Sequence, residues 1–99
     1  MTKRLLLVDD DRALREALAE QLALLDEYEV EEAETGSQGL ERTKADHFDC
    51  IVLDVGLPDM DGREVCRLMR RSGIKAPIIM LTAASGDADT ILGLDAGAN

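Results

Sequence analysis

Two adjacent aspartates, Asp9 and Asp10, follow directly on the apolar run Leu5-Leu6-Leu7-Val8. A third, Asp54, closes a second run, Cys50-Ile51-Val52-Leu53. A hydroxyl, Thr82, closes a third, Pro77-Ile78-Ile79-Met80-Leu81. Carboxylates gathered in one small pocket repel one another, and either a hard cation sits among them or a pKa rises. Oxygen donors of this kind suit Mg2+, with Mn2+ as a substitute. Mg2+ keeps several waters and often binds one or two carboxylates together with a phosphate. The set therefore predicts phosphoryl chemistry, in which the metal neutralises the incoming group and one carboxylate is left as nucleophile. Thr82 could donate a hydrogen bond to a phosphoryl oxygen. Taken singly, each feature also fits a helix cap or a turn. Their joint placement at three strand ends is what points to a site.

The elements that must position these residues follow from the apolar pattern. The three runs are too short for helices and read as buried strands. Leu14, Leu18, Leu22 and Leu25 repeat at helical spacing, with Arg12, Arg15, Glu16 and Glu20 on the opposite face. A helix is expected from about residue 11 to 25, with Asp10 or Asp11 as N-cap. The polar alternation of Tyr28 to Ala33 predicts an edge strand, whose acidic side chains discourage edge-to-edge pairing. Thr35 and Gln38 have capping-box spacing and open a second helix over about 37–45. Gly56, Pro58 and Gly62 punctuate a loop. Asp61 and Glu64 open a third helix, with Val65, Leu68 and Met69 inward and Gly73 at its end. A fourth helix is expected over about 87–96, with Gly97 as its cap.

The order βαβαβαβα predicts one domain, residues 1–99, with a parallel sheet, right-handed crossovers and helices on both faces. In such sheets ligands bind beyond the carboxyl ends, where strand order reverses. With strand order 2-1-3-4, that point lies between the first and third strands and gathers Asp9, Asp10 and Asp54.

Composition narrows the function classes. The chain has 99 residues, with 21 acidic against 11 basic side chains and a formal net charge of −10. An acidic balance disfavours unaided binding to nucleic-acid phosphates and fits cations or basic partner surfaces. One Phe, one Tyr and no Trp cannot form a base-stacking platform. No apolar run approaches the ~20 residues of a membrane span, and the start is too short in apolar residues for a secretory signal. Cys50 and Cys66 match no metal spacing and read as reduced thiols of a cytoplasmic protein.

The combined motifs resemble the receiver domain of two-component response regulators, of the chemotaxis-regulator-like type. The residues that carry the resemblance are Leu-Leu-Val-Asp-Asp-Asp (6–11), the stretch from Asp49 to Gly62, Pro-Ile-Ile-Met-Leu-Thr-Ala (77–83) and Gly-Leu-Asp-Ala-Gly-Ala-Asn (93–99). The resemblance implies a flavodoxin-like three-layer α/β fold. It implies that Asp54 accepts a phosphoryl group from a sensor histidine kinase. Asp9 and Asp10 would bind Mg2+, Asp10 directly and Asp9 largely through water, with Asp54 and the backbone carbonyl of Gly56 completing the protein ligands. Thr82 would be the switch hydroxyl, Pro58 and Gly62 would shape the pocket rim, and Gly56 and Ala84 would tune the lifetime of the phosphoryl group. Such modules are not enzymes beyond self-phosphorylation and autodephosphorylation. Many relatives carry a DNA-binding output domain after the receiver.

The sequence departs from the family at its end. The family's fifth strand, with its aromatic switch residue and its lysine, and the fifth helix have no counterpart here. Lys75 precedes the fourth strand, at the wrong end of the sheet. A receiver short of its last β–α unit is therefore expected, with weakened switching and an open fourth-strand edge through which a homodimer could form. Two other readings stand beside phosphotransfer. One is a non-switching scaffold. The other is a Mg2+-dependent phosphohydrolase, against which Asp54-Val55-Gly56-Leu57-Pro58 lacks the second Asp of the Asp-x-Asp-x-Thr pattern usual in such enzymes. Asp59-Met60-Asp61-Gly62 hints at a calcium loop without its ligand pattern. His47 reads as a solvated or capping residue, and Arg63, Arg67, Arg70 and Arg71 as a solvated face.

Overall fold

A computed structural model describes residues 2–81. Its elements are β1 (Lys3–Val8), α1 (Arg12–Ala23), β2 (Tyr28–Ala33), α2 (Gly36–Ala45), β3 (Cys50–Asp54), α3 (Gly62–Arg71) and β4 (Ile78–Leu81). The expected fourth helix, with Gly97, lies outside the described residues, as do Thr82 and Ala84.

The strands form one parallel sheet in the order β2-β1-β3-β4. The parallel sheet expected from the alternation is present, in the strand order 2-1-3-4 and with β2 at an edge. Among the described residues β4 pairs with β3 alone. The registers Val8↔Leu53 and Asp54↔Leu81 bring the carboxyl ends of β1, β3 and β4 level.

Local chemistry sets the helix starts. Asp11, rather than Asp10, caps α1 and accepts from the Leu14 N–H at 3.1 Å. Thr35 caps α2 through the Gln38 N–H at 3.1 Å, while the Gln38 side chain accepts from the Glu34 N–H at 2.9 Å. Asp61 caps α3, accepting from the Arg63 N–H at 2.8 Å. These caps satisfy donors that have no partner within the helix. Helix α3 stops where Gly73 adopts φ +90°, a conformation that glycine adopts without steric cost.

One face of the sheet carries the core. Leu6, Val8, Ile51, Leu53, Ile78 and Met80 pack against Val65, Cys66 and Met69 of α3. Cys66 is fully buried, while Leu68, expected inward, is only half-buried. At 100° per residue, the inner stripe of α3 centres on 62-65-66-69 and leaves 68 at its margin. Arg70 also departs from the expected solvated face. It is half-buried and donates from Nη1 to the carbonyls of Ile74 and Ala76 at 3.0 and 2.8 Å, pinning the approach to β4. Arg63 and Arg67 are exposed and pair with Asp61 and Glu64, as expected.

Helix α1 covers the other face in a rotation that differs from the leucine reading. Leu14 is 46% and Leu25 54% exposed, whereas Arg15 is buried. The inward positions are Arg15, Leu18, Ala19 and Leu22, an i, i+3, i+4, i+7 stripe. The physical reason lies on β2 (Tyr28–Ala33) and just beyond it. Arg15 Nε bonds Glu32 at 2.8 Å and Nη2 bonds Glu34 at 3.4 Å, so burial of the cation is compensated. The acids of this edge segment are thus pairing groups as well. Glu31 receives both Arg4 and Arg42.

Candidate functional site

The site forms where β1 and β3 end. The Asp9 N–H donates to the Ala33 carbonyl at 3.0 Å, which carries the sheet pairing one residue past β1. The Asp9 carboxylate is buried and accepts from the Asp11 N–H at 2.9 Å. Asp10, beside it, is exposed. Asp54 ends β3 and is buried at 8% exposure, and the following Val55 N–H donates to the Leu81 carbonyl at 2.9 Å. These hydrogen bonds at the two strand ends hold the carboxylates in place.

One ligand oxygen from each of Asp9, Asp10 and Asp54 lies within 4.8 Å of the others. The three residues singled out from their strand-end positions are thus brought together. Burial pushes the Asp54 carboxyl above the ordinary carboxylate range. The Gly56 N–H opposes that rise, and the charges of Asp9 and Asp10 and a hydrogen bond shared with Asp10 add to it. Burial likewise raises Asp9, against the Asp11 N–H, with the charges of Asp10 and Asp11 adding and that of Arg15 opposing. Two buried carboxylates held above their ordinary range, with a third carboxylate oxygen within reach, match a hard, oxygen-seeking cation such as Mg2+. The donor chemistry fits.

The loop after β3 shapes the mouth. Gly56 is exposed, and a Cβ there would meet only an Asp54 oxygen at 3.9 Å. Gly62 is the opposite case. A Cβ would stand 2.1 Å from the Asp54 carbonyl oxygen and 2.8 Å from Val55 Cα, so α3 begins directly against the backbone of the central aspartate. Pro58 is exposed on the same loop.

Two contributors escaped the sequence reading. Asp59 accepts from the N–H groups of Gly36 and Ser37 at 2.8 and 2.9 Å, tying the loop to the start of α2. Its partners lie 22 and 23 residues away, so no local pattern announces them. Arg15 Nη1 donates to the Asp9 carbonyl at 2.8 Å. The 15-18-19-22 stripe, with two glutamates on and after the next strand, is the signal that could have found it.

Other features are remote from the chemistry. A cleft of about 520 Å³ lined by Thr43, Phe48, Ile74 and Lys75 holds none of the three carboxylates. His47 is 82% exposed and 3.3 Å from Asp49, a solvated residue as expected. Cys50 and Cys66 are not joined in a disulfide. No helix among the described residues is long and apolar enough to cross a membrane.

Comparison with known proteins agrees with this geometry. Residues 5–99 match the family described as response regulator receiver domain. Response regulator MprA of Mycobacterium ulcerans is 46% identical over 99 residues, which is all of this chain and 42% of the relative. MprA of Mycobacterium tuberculosis is 46% identical over the same span, 43% of its length. The chain thus spans under half the length of these curated relatives. Response regulator TrrA of Thermotoga maritima, solved in complex with Mg2+-BeF, superposes with TM-score 0.78 at 38% identity, covering 85% of this chain and 72% of that one. Chemotaxis response regulator CheY4 of Vibrio cholerae superposes with TM-score 0.80 at 32% identity, covering 87% and 72%.

Proposed function

The chain belongs to the response regulator receiver family of two-component signalling, and from that membership we propose that Asp54 accepts a phosphoryl group from a sensor histidine kinase. The observation that carries the reading is the convergence of Asp9, Asp10 and Asp54, with ligand oxygens within 4.8 Å of one another. Asp10 and Asp54 would hold Mg2+ directly, Asp9 through water, and the Gly56 carbonyl would complete the protein ligands. When bound, Mg2+ (or Mn2+) supplies positive charge against the phosphoryl oxygens.

The residues have distinct tasks. An ionised Asp54 oxygen forms the new bond to phosphorus as the phosphorus–nitrogen bond to the kinase histidine breaks. The histidine keeps that electron pair. Asp54 is fit for the task because it is held at a strand end by the sheet and by Gly62 behind it. Thr82 would donate its hydroxyl to a phosphoryl oxygen. Gly56, without a side chain, leaves water a path to the acyl phosphate and so shortens its lifetime. Ala84, also small, would act in the same direction.

The chain is a signalling module rather than a conventional enzyme, and its setting is the cytoplasm. Residues 1–99 act as one receiver unit. The greater length of the relatives supports an output domain in the parent protein, DNA-binding in many relatives. The receiver's own acidic surface supports no direct contact with nucleic acid.

The test is intact mass after incubation with Mg2+ and acetyl phosphate. Wild type is expected to gain one phosphoryl group, with no gain in Asp54→Ala or when the metal is chelated. An equal gain in Asp54→Ala would sink the assignment. Repeated turnover of unrelated phosphoesters would favour a hydrolase instead.

A further inference from the structure

Among the described residues Arg15 is the one buried cation. Each of its three guanidinium nitrogens donates one hydrogen bond. Nη1 donates to the Asp9 carbonyl at 2.8 Å, Nε to Glu32 at 2.8 Å and Nη2 to Glu34 at 3.4 Å. A rigid fork of donors on α1 thus joins the carboxyl end of β1 to the segment that ends β2.

The consequence concerns the Asp9–Asp10 peptide. The Asp9 N–H is fixed on the Ala33 carbonyl at 3.0 Å. The Asp9 carbonyl is fixed on Arg15 at 2.8 Å. With both peptide groups around Asp9 pinned, the direction in which the chain leaves β1 is set. That direction decides whether the Asp10 carboxylate meets Asp54. We propose that Arg15 is a positioning residue for the cation pocket, acting through the Asp9–Asp10 peptide and not through its charge. The inference rests on the Mg2+ reading given above.

Charge and geometry predict opposite signs. A positive side chain behind the carboxylates repels an incoming cation, so its removal would tighten metal binding if charge were its role. Arg15 is already matched by two glutamates, which mutes that effect. Loss of the fork frees the peptide and should weaken binding. Partners that orient metal ligands from behind are worth roughly 10–100-fold in metal affinity.

The experiment is a Mg2+ titration followed by backbone amide NMR, with thermal melts of each variant in parallel. Arg15→Met is expected to raise the Mg2+ Kd by about tenfold. The Asp10 and Asp11 amide signals of the metal-free variant should also move. Arg15→Lys, which keeps the charge and loses the fork, should recover only part of the affinity. A tighter or unchanged Kd in Arg15→Met overturns the proposal, even where the melting temperature falls. If Arg15→Met does not fold, Arg15→Lys decides alone, and a wild-type Kd in that variant overturns it. Wild-type protein without Mg2+ response overturns the metal reading itself, a result distinct from unaltered binding in the variants.

Discussion

Asp59, on the loop after β3, holds the first N–H of α2, that of Gly36, at 2.8 Å, and its other oxygen holds Ser37 at 2.9 Å. With Thr35 taking the Gln38 N–H, three of the four donors left open at the start of α2 are satisfied. An anion at a helix N-terminus also meets the positive end of the helix dipole. The loop carrying Gly56 is thereby tied to a neighbouring helix.

Asp59→Ala should therefore cost about 1 kcal/mol, the usual value of a lost cap. The Ser37 and Gly36 N–H groups hold this carboxyl below the ordinary range. A depressed folded pKa stabilises the fold above the unfolded value and stops doing so as pH falls through the folded one. Urea unfolding should show the full gap between wild type and Asp59→Ala at pH 7. The gap should close progressively below about pH 3.9. A gap independent of pH would contradict this account.

How much of this was legible beforehand depends on sequence range. The strands were readable because Leu5 to Val8 and Cys50 to Leu53 are short, apolar and end in aspartate. Caps at Thr35 and Asp61 were readable because their partners lie two or three residues on. Asp59 and Arg15 were not, since their partners come from other elements. The leucines of α1 hid the true inner stripe, because the sequence cannot say that a buried arginine will find glutamates on and after β2. The Thr82 and Ala84 expectations lie outside the described residues.

Asp54→Asn should stabilise the metal-free protein at neutral pH. Burial, then the neighbouring Asp9 and Asp10, push the Asp54 carboxyl up. A raised folded pKa means that stability falls as pH rises from the unfolded value through the folded one. Ionised Asp54 is thus a burden at pH 7 in the metal-free protein. In chelator, Asp54→Asn should melt higher than wild type at pH 7, with the difference vanishing near the ordinary carboxylate range. Saturating Mg2+ should raise wild type and narrow the gap. A lower melting temperature for the variant in chelator would refute the repulsion argument.

Gly62→Ala tests the backing of Asp54. The added methyl would stand 2.1 Å from the Asp54 carbonyl oxygen and 2.8 Å from Val55 Cα. Backbone cannot yield as a side-chain tip can. A cost of roughly 1–3 kcal/mol is expected, read as a lowered denaturation midpoint. Because the displaced atoms belong to Asp54 and Val55, Mg2+ binding should weaken too. Full Mg2+ affinity in a destabilised Gly62→Ala would detach this contact from the site.

The central claim is that Asp54 carries the phosphoryl group, and locating the acyl phosphate tests it most directly. Protein treated with Mg2+ and acetyl phosphate is reduced with borohydride, which converts a phosphorylated aspartate to homoserine, and is then digested and sequenced by mass. The account predicts homoserine at position 54 alone. Homoserine at position 9, 10 or 59, with an intact Asp54, would contradict it.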